Sequence, residues 1–341
     1  MKTVYSNKHQ LHSPKTELYG GRLVKPFEQP SRVDVILESV RAAHLGPVVQ
    51  PSSYGLEPVL RVHDAEFLRF LENAWTEWQE AGFEGEAMPT NWPSRRMSKR
   101  CPDFIEGKVG YFAMSAETSI TAGTWEAALA SKDVALTAAS ELINDERSAF
   151  ALCRPPGHHA ARDMYGGYCF LNNAAISAQF FLDTGIASVA ILDIDFHHGN
   201  GTQDIFYERN DVFFCSLHGD PHETFPHFLG YQDEVGRGPG FGFNINFPMP
   251  AGTEFVDWQK SFDNGLSRIK VFAPAILVIS LGVDTFEGDP ISFFKLKTDD
   301  YKIIGRMIAE LDIPTLFVME GGYDIGEIGI NTVNVLIGFQ D

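Results

Sequence analysis

Aspartate and histidine side chains lie close together in residues 193–203, at a spacing that suits metal binding. The segment reads Asp-Ile-Asp-Phe-His-His-Gly-Asn-Gly-Thr-Gln and continues an apolar, largely β-branched run that predicts a buried strand. Alternate residues of a strand face the same way, so we expect Asp193, Asp195 and His197 on one side and His198 on the other. The bland alternative is a strand ending in a polar loop, which would leave these carboxylates uncompensated in an apolar setting.

Three further predicted strands end in residues that could take part in the same chemistry. One precedes the pair His158-His159, the second precedes Asp284, and the third precedes Tyr323. If the strands are parallel, all four tips lie at one edge of the sheet, where open α/β folds bind their ligands. The sequence therefore predicts one site assembled from four strand ends.

The metal ligands predicted at this edge are Asp195, His197 and Asp284. Three protein ligands with one open position are typical of a catalytic divalent metal site. Mixed oxygen and nitrogen ligands suit zinc, with iron(II), manganese or cobalt as alternatives. Such a metal polarises a carbonyl group and lowers the pKa of a bound water molecule.

The two adjacent histidines are candidates for general base and general acid. We predict that His158 pairs with Asp193 and that His159 pairs with Asn200. A carboxylate partner favours the imidazolium, whereas a neutral amide partner leaves the histidine with a lower pKa. This difference predicts His159 as the general base and then acid, and His158 as its electrostatic partner.

Tyr323 is the candidate for stabilising negative charge on a substrate oxygen. Gly321 and Gly322 precede it and allow the backbone to pack closely against its neighbours. The phenol could then donate a hydrogen bond to an oxyanion.

The elements that would position these residues alternate between strand and helix from residue 124 onward. This alternation predicts an α/β fold with a mostly parallel sheet and helices on both faces. Before it, we expect an edge strand at 3–5, a long ordered loop at 15–30, and helices at 31–40 and 64–78. The strands are predicted at 149–153, 188–194, 212–217, 243–247, 276–281 and 315–319, and the helices at 124–143, 172–182, 203–207, 254–272, 299–310 and 326–337.

Residues 82–124 are rich in glycine and proline and show no apolar periodicity of their own. We therefore predict one domain over residues 1–341 with an insertion at about 82–124. Its aromatic residues indicate a surface that packs either against a second copy of the chain or back onto the parent domain. They are Trp92, Phe104, Tyr111 and Phe112.

The composition is that of a globular protein of the cytoplasm. Of 341 residues, 44% are hydrophobic, and no apolar run approaches the length of about 20 that a membrane span needs. The four cysteines form no Cys-x-x-Cys pair, which fits a reducing compartment, and the N-terminus lacks an apolar signal core. The net charge of −18 would repel nucleic acids and attract cations, although solubility or a saline habitat would also explain it.

Three motifs together resemble the histone deacetylase family of the arginase/deacetylase superfamily. They are Pro155-Pro156-Gly157-His158-His159, the run from Asp195 to Thr202, and Glu320-Gly321-Gly322-Tyr323. The run from Lys15 to Gly21 and the insertion are most similar to the branch of bacterial acetylpolyamine amidohydrolases. The resemblance implies an arginase-deacetylase-like three-layer α/β/α fold, and a zinc hydrolase that releases acetate from acetylated amines. In that branch the insertion and the 15–30 loop build a homodimer that narrows the entrance.

The resemblance also implies roles for particular residues. It makes Asp195, His197 and Asp284 zinc ligands, His158 and His159 the catalytic pair, and Tyr323 the phenol that polarises the carbonyl. It further implies substrate contacts and two structural potassium sites. The substrate contacts are Gly167, Tyr168 and Phe225 along a tunnel, and Glu17, Glu106 and Glu117 at its mouth, where they would meet cationic amines. The first potassium site comprises Asp193, Asp195, His197, Ser216 and Leu217, and the second comprises Phe206, Arg209, Val212 and Phe243.

Three other functions are compatible with parts of this pattern. A manganese ureohydrolase resembles it, but holds two metals with carboxylates at the positions of Gly199 and Phe286. A protein deacetylase acting on acetyl-lysine would use identical chemistry and differ only in access to the site. A protein that only binds cations would not need the histidine pair together with Tyr323.

Overall fold

The arrangement of one large sheet decides where the candidate residues lie. The structure is a computed structural model that describes residues 1–96 and 98–341. Within these residues, short 3-10 helices occur at Asn7–Leu11 and Gly238–Gly240. The strands are β1 (Lys2–Val4), β2 (Glu17–Tyr19), β3 (Arg22–Val24), β4 (Val48–Val49), β5 (Ser148–Ala151), β6 (Val189–Asp193), β7 (Val212–Gly219), β8 (Asn244–Met249), β9 (Ile276–Leu281) and β10 (Thr315–Met319). The helices are α1 (Ser31–Ala42), α2 (Glu57–Leu60), α3 (Ala65–Glu80), α4 (Ile105–Phe112), α5 (Thr124–Ile143), α6 (Asn173–Asp183), α7 (Asn200–Phe206), α8 (Phe255–Phe272), α9 (Thr298–Ala309) and α10 (Ile328–Gln340).

The large sheet has the strand order β4-β1-β5-β10-β9-β6-β7-β8, and each neighbouring pair in it is parallel. All carboxyl ends therefore lie at the same edge. The four strands predicted to end in reactive residues, β5, β10, β9 and β6, are consecutive neighbours in this order. Strands β2 and β3 form a separate antiparallel hairpin.

Helices cover both faces of the sheet, which explains why its strands are apolar on both sides. In β6, Val189 and Ile191 pack into a core with α3, α5 and α6. The alternate residues, Ala190 and Leu192, pack into a second core with α1, α8, α9 and α10. The predicted α/β/α layering is thus confirmed.

The structure also corrects several predicted elements. The segment 15–30 contains the β2–β3 hairpin rather than loop alone, and β1 is not an edge strand, because it pairs with both β4 and β5. The insertion contains α4, whose eight residues are too few to display a clear periodicity. Phe112 on this helix is buried in the parent core, not on an outer surface.

No helix in the described part of the chain is both long enough and apolar enough to cross a membrane.

Candidate active site

The loop that follows β6 is shaped by its own aspartates. The strand ends at Asp193, so Asp195 and His197 lie beyond it, and strand alternation does not orient them as predicted. Instead, Asp193 Oδ1 accepts a hydrogen bond from the backbone N–H of Asp195 at 3.1 Å, and Asp195 Oδ1 accepts one from that of His197 at 2.8 Å. Short polar side chains commonly bond the backbone two residues on, and two such turns in succession bring the residues together.

Asp195, His197 and Asp284 converge as the metal hypothesis requires. One potential ligand atom from each lies within 4.8 Å of those of the other two, and all three side chains are buried. His197 Nδ1 is 2.9 Å from Asp284 Oδ2 and 3.4 Å from Asp195 Oδ1. A tetrahedral zinc ion with bonds of about 2.0 Å separates its ligand atoms by about 3.3 Å, so the donor set fits such an ion.

The charges of this cluster also favour a bound cation. Burial and the charge of Asp195 raise the pKa of Asp284 to about 7. Burial lowers the pKa of His197, but the hydrogen bonds and charges of Asp195 and Asp284 outweigh it and raise this pKa to about 10. The protonated imidazole of His197 therefore supplies the positive charge that the two carboxylates favour. A divalent cation would displace this proton and supply the positive charge instead.

The two histidines after β5 have different partners. His158 Nδ1 donates to Asp193 Oδ2 at 3.0 Å, and His159 Nδ1 donates to Asn200 Oδ1 at 2.6 Å. These are the two contacts put forward from the sequence. Asn200 is the first residue of α7, one turn earlier than the predicted start of that helix.

These surroundings give the two histidines opposite pKa shifts. Burial disfavours the imidazolium of His158, but the charges of Asp195 and Asp193 outweigh it and raise its pKa to about 10. Burial and the positive charges of His158 and His197 lower the pKa of His159 well below its ordinary value. At neutral pH, His159 is the histidine able to accept a proton.

Tyr323 lies at the tip of β10, on a turn that packs against Asp195 and Asp284. A Cβ atom at Gly321 would lie 2.5 Å from Asp195 Oδ2 and 2.7 Å from Asp284 Oδ2, so only glycine allows this approach. Asp289 Oδ2 accepts the backbone N–H of Tyr323 at 2.8 Å. Burial raises the pKa of the Tyr323 phenol well above its ordinary value, so the phenol remains a donor.

A buried group of charged residues lies behind this turn, and the sequence did not predict it. Arg32 donates to the carbonyl oxygens of Glu320 and Gly322, both at 2.6 Å, and its guanidinium lies 4.8 Å from the centre of the Tyr323 ring. Glu28 bridges Arg32 and Arg154, at 2.9 and 2.7 Å. The available signal was an arginine at position 32, within the apolar pattern of a predicted helix.

A cavity of about 260 Å³ lies beside the strand tips of the candidate site. His159, His197 and Tyr323 reach it from the strand tips. The other walls are mostly apolar or aromatic, so the cavity suits an extended, largely aliphatic chain. The remaining lining residues are Leu18, Tyr19, Glu117, Gly167, Tyr168, Phe196, Glu223, Thr224, Phe225, His227, Ile291 and Phe293.

The three predicted tunnel residues all line this cavity. Tyr168 stands on one wall, where its ring centre is 5.6 Å from that of Tyr323, and the Phe225 ring centre is 5.0 Å from that of His159. Gly167 has φ +55°, and a Cβ atom there would lie 2.2 Å from His159 Cδ2. Position 167 therefore requires glycine, because a side chain there would collide with the His159 ring.

The predicted acidic residues do not share one position. Glu117 lines the cavity, and its carboxylate accepts the backbone N–H of Gly167 at 2.9 Å. Glu17 is only 1% exposed and accepts hydrogen bonds from the Tyr168 phenol and the Phe27 backbone, so it lies behind Tyr168 rather than at the mouth. Glu106 is exposed on α4 and does not line the cavity. Glu223, an exposed carboxylate two residues before Phe225, lines the cavity and was missed because no local motif marks it.

The residues of the two predicted potassium sites are grouped around β6 and β7. In the first group, Asp193 and Ser216 are paired neighbours on these strands, and Leu217 follows. In the second group, the carbonyl oxygen of Phe206 accepts the N–H of Arg209, and that of Phe243 accepts the N–H of Phe214. Each of these oxygens has a second lone pair that a cation could use.

One family model, two relatives and one crystal structure resemble the chain over nearly its whole length. A model of the histone deacetylase domain matches residues 26–337. An acetylpolyamine amidohydrolase of Mycoplana ramosa is 56% identical over 338 residues, or 99% of both chains. Acetylpolyamine amidohydrolase 2 of Pseudomonas aeruginosa is 53% identical over 340 residues, or 100% of this chain and 99% of that one. The crystal structure of an acetylpolyamine aminohydrolase from Burkholderia pseudomallei has a TM-score of 0.95 and 38% identity, covering 99% of this chain and 98% of that one.

Proposed function

Because this chain belongs to the histone deacetylase family, we propose that it removes acetyl groups from acetylated polyamines, releasing acetate and the free amine. It is a metal-dependent deacetylase. The observation that carries this function is the convergence of Asp195 and Asp284 on His197, which lines one cavity together with His159 and Tyr323. The acetylpolyamine specificity rests on full-length similarity to proteins of that name.

The residues of the chain account for the proton transfers of an amide hydrolysis. A divalent cation held by Asp195, His197 and Asp284 would polarise the acetyl carbonyl and acidify a water molecule. His159, neutral because its pKa is lowered, accepts the proton of the attacking water and then delivers it to the departing amine. Tyr323 donates to the oxygen on which negative charge develops, and the imidazolium of His158 stabilises the same charge.

The shape and charge of the cavity support an amine substrate. Aromatic and aliphatic walls would enclose methylene groups, and Glu117 and Glu223 contribute carboxylates to the lining. A cationic amine remote from the acetyl group would be attracted to these carboxylates. We propose Glu117 as a substrate contact, and Glu17 as a support for Tyr168.

We expect the protein to hydrolyse acetylputrescine, acetylcadaverine and acetylspermidines with a higher kcat/KM than an acetyl-lysine peptide. The peptide must bring its backbone to the cavity mouth, whereas a slender amine enters whole. Steady-state kinetics with zinc-loaded protein would measure the difference. A peptide with an equal or higher kcat/KM would instead make the protein an acetyl-lysine deacetylase.

Two controls separate the chemistry from the recognition of the amine. Protein stripped by a chelator should be inactive and should recover with zinc, iron(II), manganese or cobalt, which also ranks the metals. N-Butylacetamide has the same reacting group but no remote cation, and its KM should be several-fold higher. Equal KM values for the neutral and cationic amides would contradict a role for the carboxylates.

The donor set favours zinc as the resident metal, and the groups around β6 and β7 favour two structural potassium ions. For potassium, the proposed ligands are largely backbone carbonyl oxygens, as hard cations prefer. The cysteines are unpaired in the described residues, which supports the proposal of a cytoplasmic protein.

Exposed apolar residues beside the cavity mouth support a homodimer. Leu18 and Leu23 are paired on the β2–β3 hairpin and are 42% and 65% exposed, and Leu18 also lines the cavity. In the insertion, Trp92 and Phe104 are also exposed. A second copy covering these surfaces would bring its own Glu106 close to a mouth that Glu106 does not reach within one protomer.

We expect sedimentation to give twice the 37.9 kDa mass of the chain. Leu23→Glu would place a charge in the proposed contact and should shift the protein towards monomer. Val271→Glu is the matched control, because Val271 is 84% exposed on α8 and lies outside these surfaces. A fully active monomeric parent would contradict both the dimer and the role given to the insertion.

A further inference from the structure

Glu320 is a buried carboxylate that the reaction described above does not use. It follows β10 directly, is fully buried, and lies three residues before Tyr323. Its Oε2 atom accepts the backbone N–H groups of Gly157 at 2.6 Å and His158 at 3.1 Å. Glu320 therefore joins the tip that carries Tyr323 to the tip that carries the two histidines.

The contacts of Glu320 reach a third strand as well. Its Oε1 atom accepts the hydroxyl of Ser280, on β9, at 3.4 Å, and its own backbone N–H donates to the carbonyl of Leu281 on the same strand. Its carbonyl oxygen is held by Arg32. The residue is thus fixed at backbone and side chain, so its carboxylate offers a rigid acceptor.

A metal at Glu320 itself does not explain these contacts. One potential ligand atom each from His158, Cys169 and Glu320 lies within 4.8 Å of the other two. However, Glu320 Oε2 already accepts two backbone N–H groups, the thiol of Cys169 donates to the carbonyl of Gly167, and none of the three residues lines the catalytic cavity. The group is better explained as a hydrogen-bonded joint.

The need for such a joint follows from the backbone after β5. The segment 155–159 leaves the sheet, so the N–H groups of Gly157 and His158 have no strand partner and would be unpaired in the interior. A carboxylate oxygen satisfies both at once and also fixes their position relative to β10. Small errors here matter, because displacing a reacting group by about 1 Å can cost about 10²-fold in rate.

We infer that Glu320 is a positioning residue, which sets the register between the histidine pair and Tyr323 by accepting the N–H groups of Gly157 and His158. This deepens the proposed hydrolytic function and rests on it. The essential property is an acceptor oxygen at the right reach. The negative charge is not essential.

The test compares replacements that keep or remove this acceptor. Glu320→Gln retains a carbonyl oxygen at the same reach and should keep kcat within about fivefold of the parent. Glu320→Met has a similar size but no such acceptor, and should lower kcat by about 10²-fold with KM little changed. Glu320→Asn keeps the amide but shortens the reach by one methylene, and should resemble Glu320→Met. Thermal melting and bound metal are measured for each protein.

A double-mutant cycle shows whether the loss acts through Tyr323. If Glu320 registers the two tips, the loss from Glu320→Met should be clearly smaller in a Tyr323→Phe background than in the parent, because the donor being positioned is already absent. Strictly multiplicative losses would overturn the inference, as would a 10²-fold loss in Glu320→Gln. If Glu320→Met does not fold, the Gln and Asn variants decide the question. A folded, metal-loaded parent without turnover would instead contradict the proposed function.

Discussion

Replacing His159 with glutamine should lower kcat by about 10² to 10⁴-fold, the range typical for loss of a general acid–base group. His159 is the histidine of the pair that is neutral at pH 7, because burial and the charge of His158 lower its pKa. It also lines the cavity, whereas His158 does not. Bound metal and KM should change little, since His159 is not among the three residues proposed to hold the metal.

The pH dependence tests the same assignment. A base whose pKa is depressed remains neutral down to that lowered value, so the acid limb of kcat/KM in the parent should lie well below pH 6.5. As the pH falls through this limb, His159 gains a proton and activity is lost. The limb should be absent from the residual activity of His159→Gln.

His222→Gln is a suitable control for the loss of an imidazole. His222 is exposed, pairs with Asp220 at 2.8 Å, and does not line the cavity. Its replacement should leave both kcat and the pH profile unchanged. An unaltered pH profile in a folded His159→Gln protein would remove His159 from the proton transfers.

Replacing Tyr323 with phenylalanine should lower kcat by about 10² to 10³-fold, as expected for the loss of one oxyanion donor. The phenol stays protonated, because burial raises its pKa far above neutrality. The fold should be preserved, since the ring that packs against the Arg32 guanidinium remains. Stopped-flow or steady-state kinetics on zinc-loaded protein would measure the loss of kcat, with the metal content determined in parallel.

Tyr168→Phe provides the comparison on the same cavity wall. It removes another phenol, whose partner is Glu17 at 3.2 Å, and such a hydrogen bond contributes only about 1 kcal/mol. Its cost should stay below about tenfold and should fall mainly on KM. If Tyr323→Phe were no more damaging than Tyr168→Phe, the phenol of Tyr323 would have no special role in the reaction.

Much of this protein follows from local sequence patterns. The alternation of apolar strands and amphipathic helices predicts the α/β/α layers, and β9 and β10 occur at their predicted residues. Local patterns do not predict the shortest elements, because α4 and the β2–β3 hairpin contain too few residues to show a period. The sequence therefore predicts an irregular insertion, although Val109 and Phe112 in it belong to the core.

At the candidate site, the sequence predicts which residues come together but not what brings them together. Residue types and parallel strand ends were enough to group Asp195, His197 and Asp284 with the histidine pair and Tyr323, because parallel strands place their carboxyl ends at one edge. Strand alternation nevertheless does not explain how Asp195 and His197 approach each other, because both lie beyond the strand. Their approach comes from aspartate side chains that bond the backbone two residues ahead, in a loop beyond the strand.

Only the tertiary structure decided which carboxylates line the cavity and which support the residues that line it. Glu17 and Glu117 were predicted alike, yet one is buried behind Tyr168 and the other lines the wall, while Glu223 reaches the cavity without any motif. The braces Arg32, Glu28 and Glu320 act across more than a hundred residues of chain, so no local spacing reports them. The sequence by itself determined the chemistry at the strand ends, because residue type and strand direction are local properties. The fold determined their register and access, since these depend on contacts between distant segments.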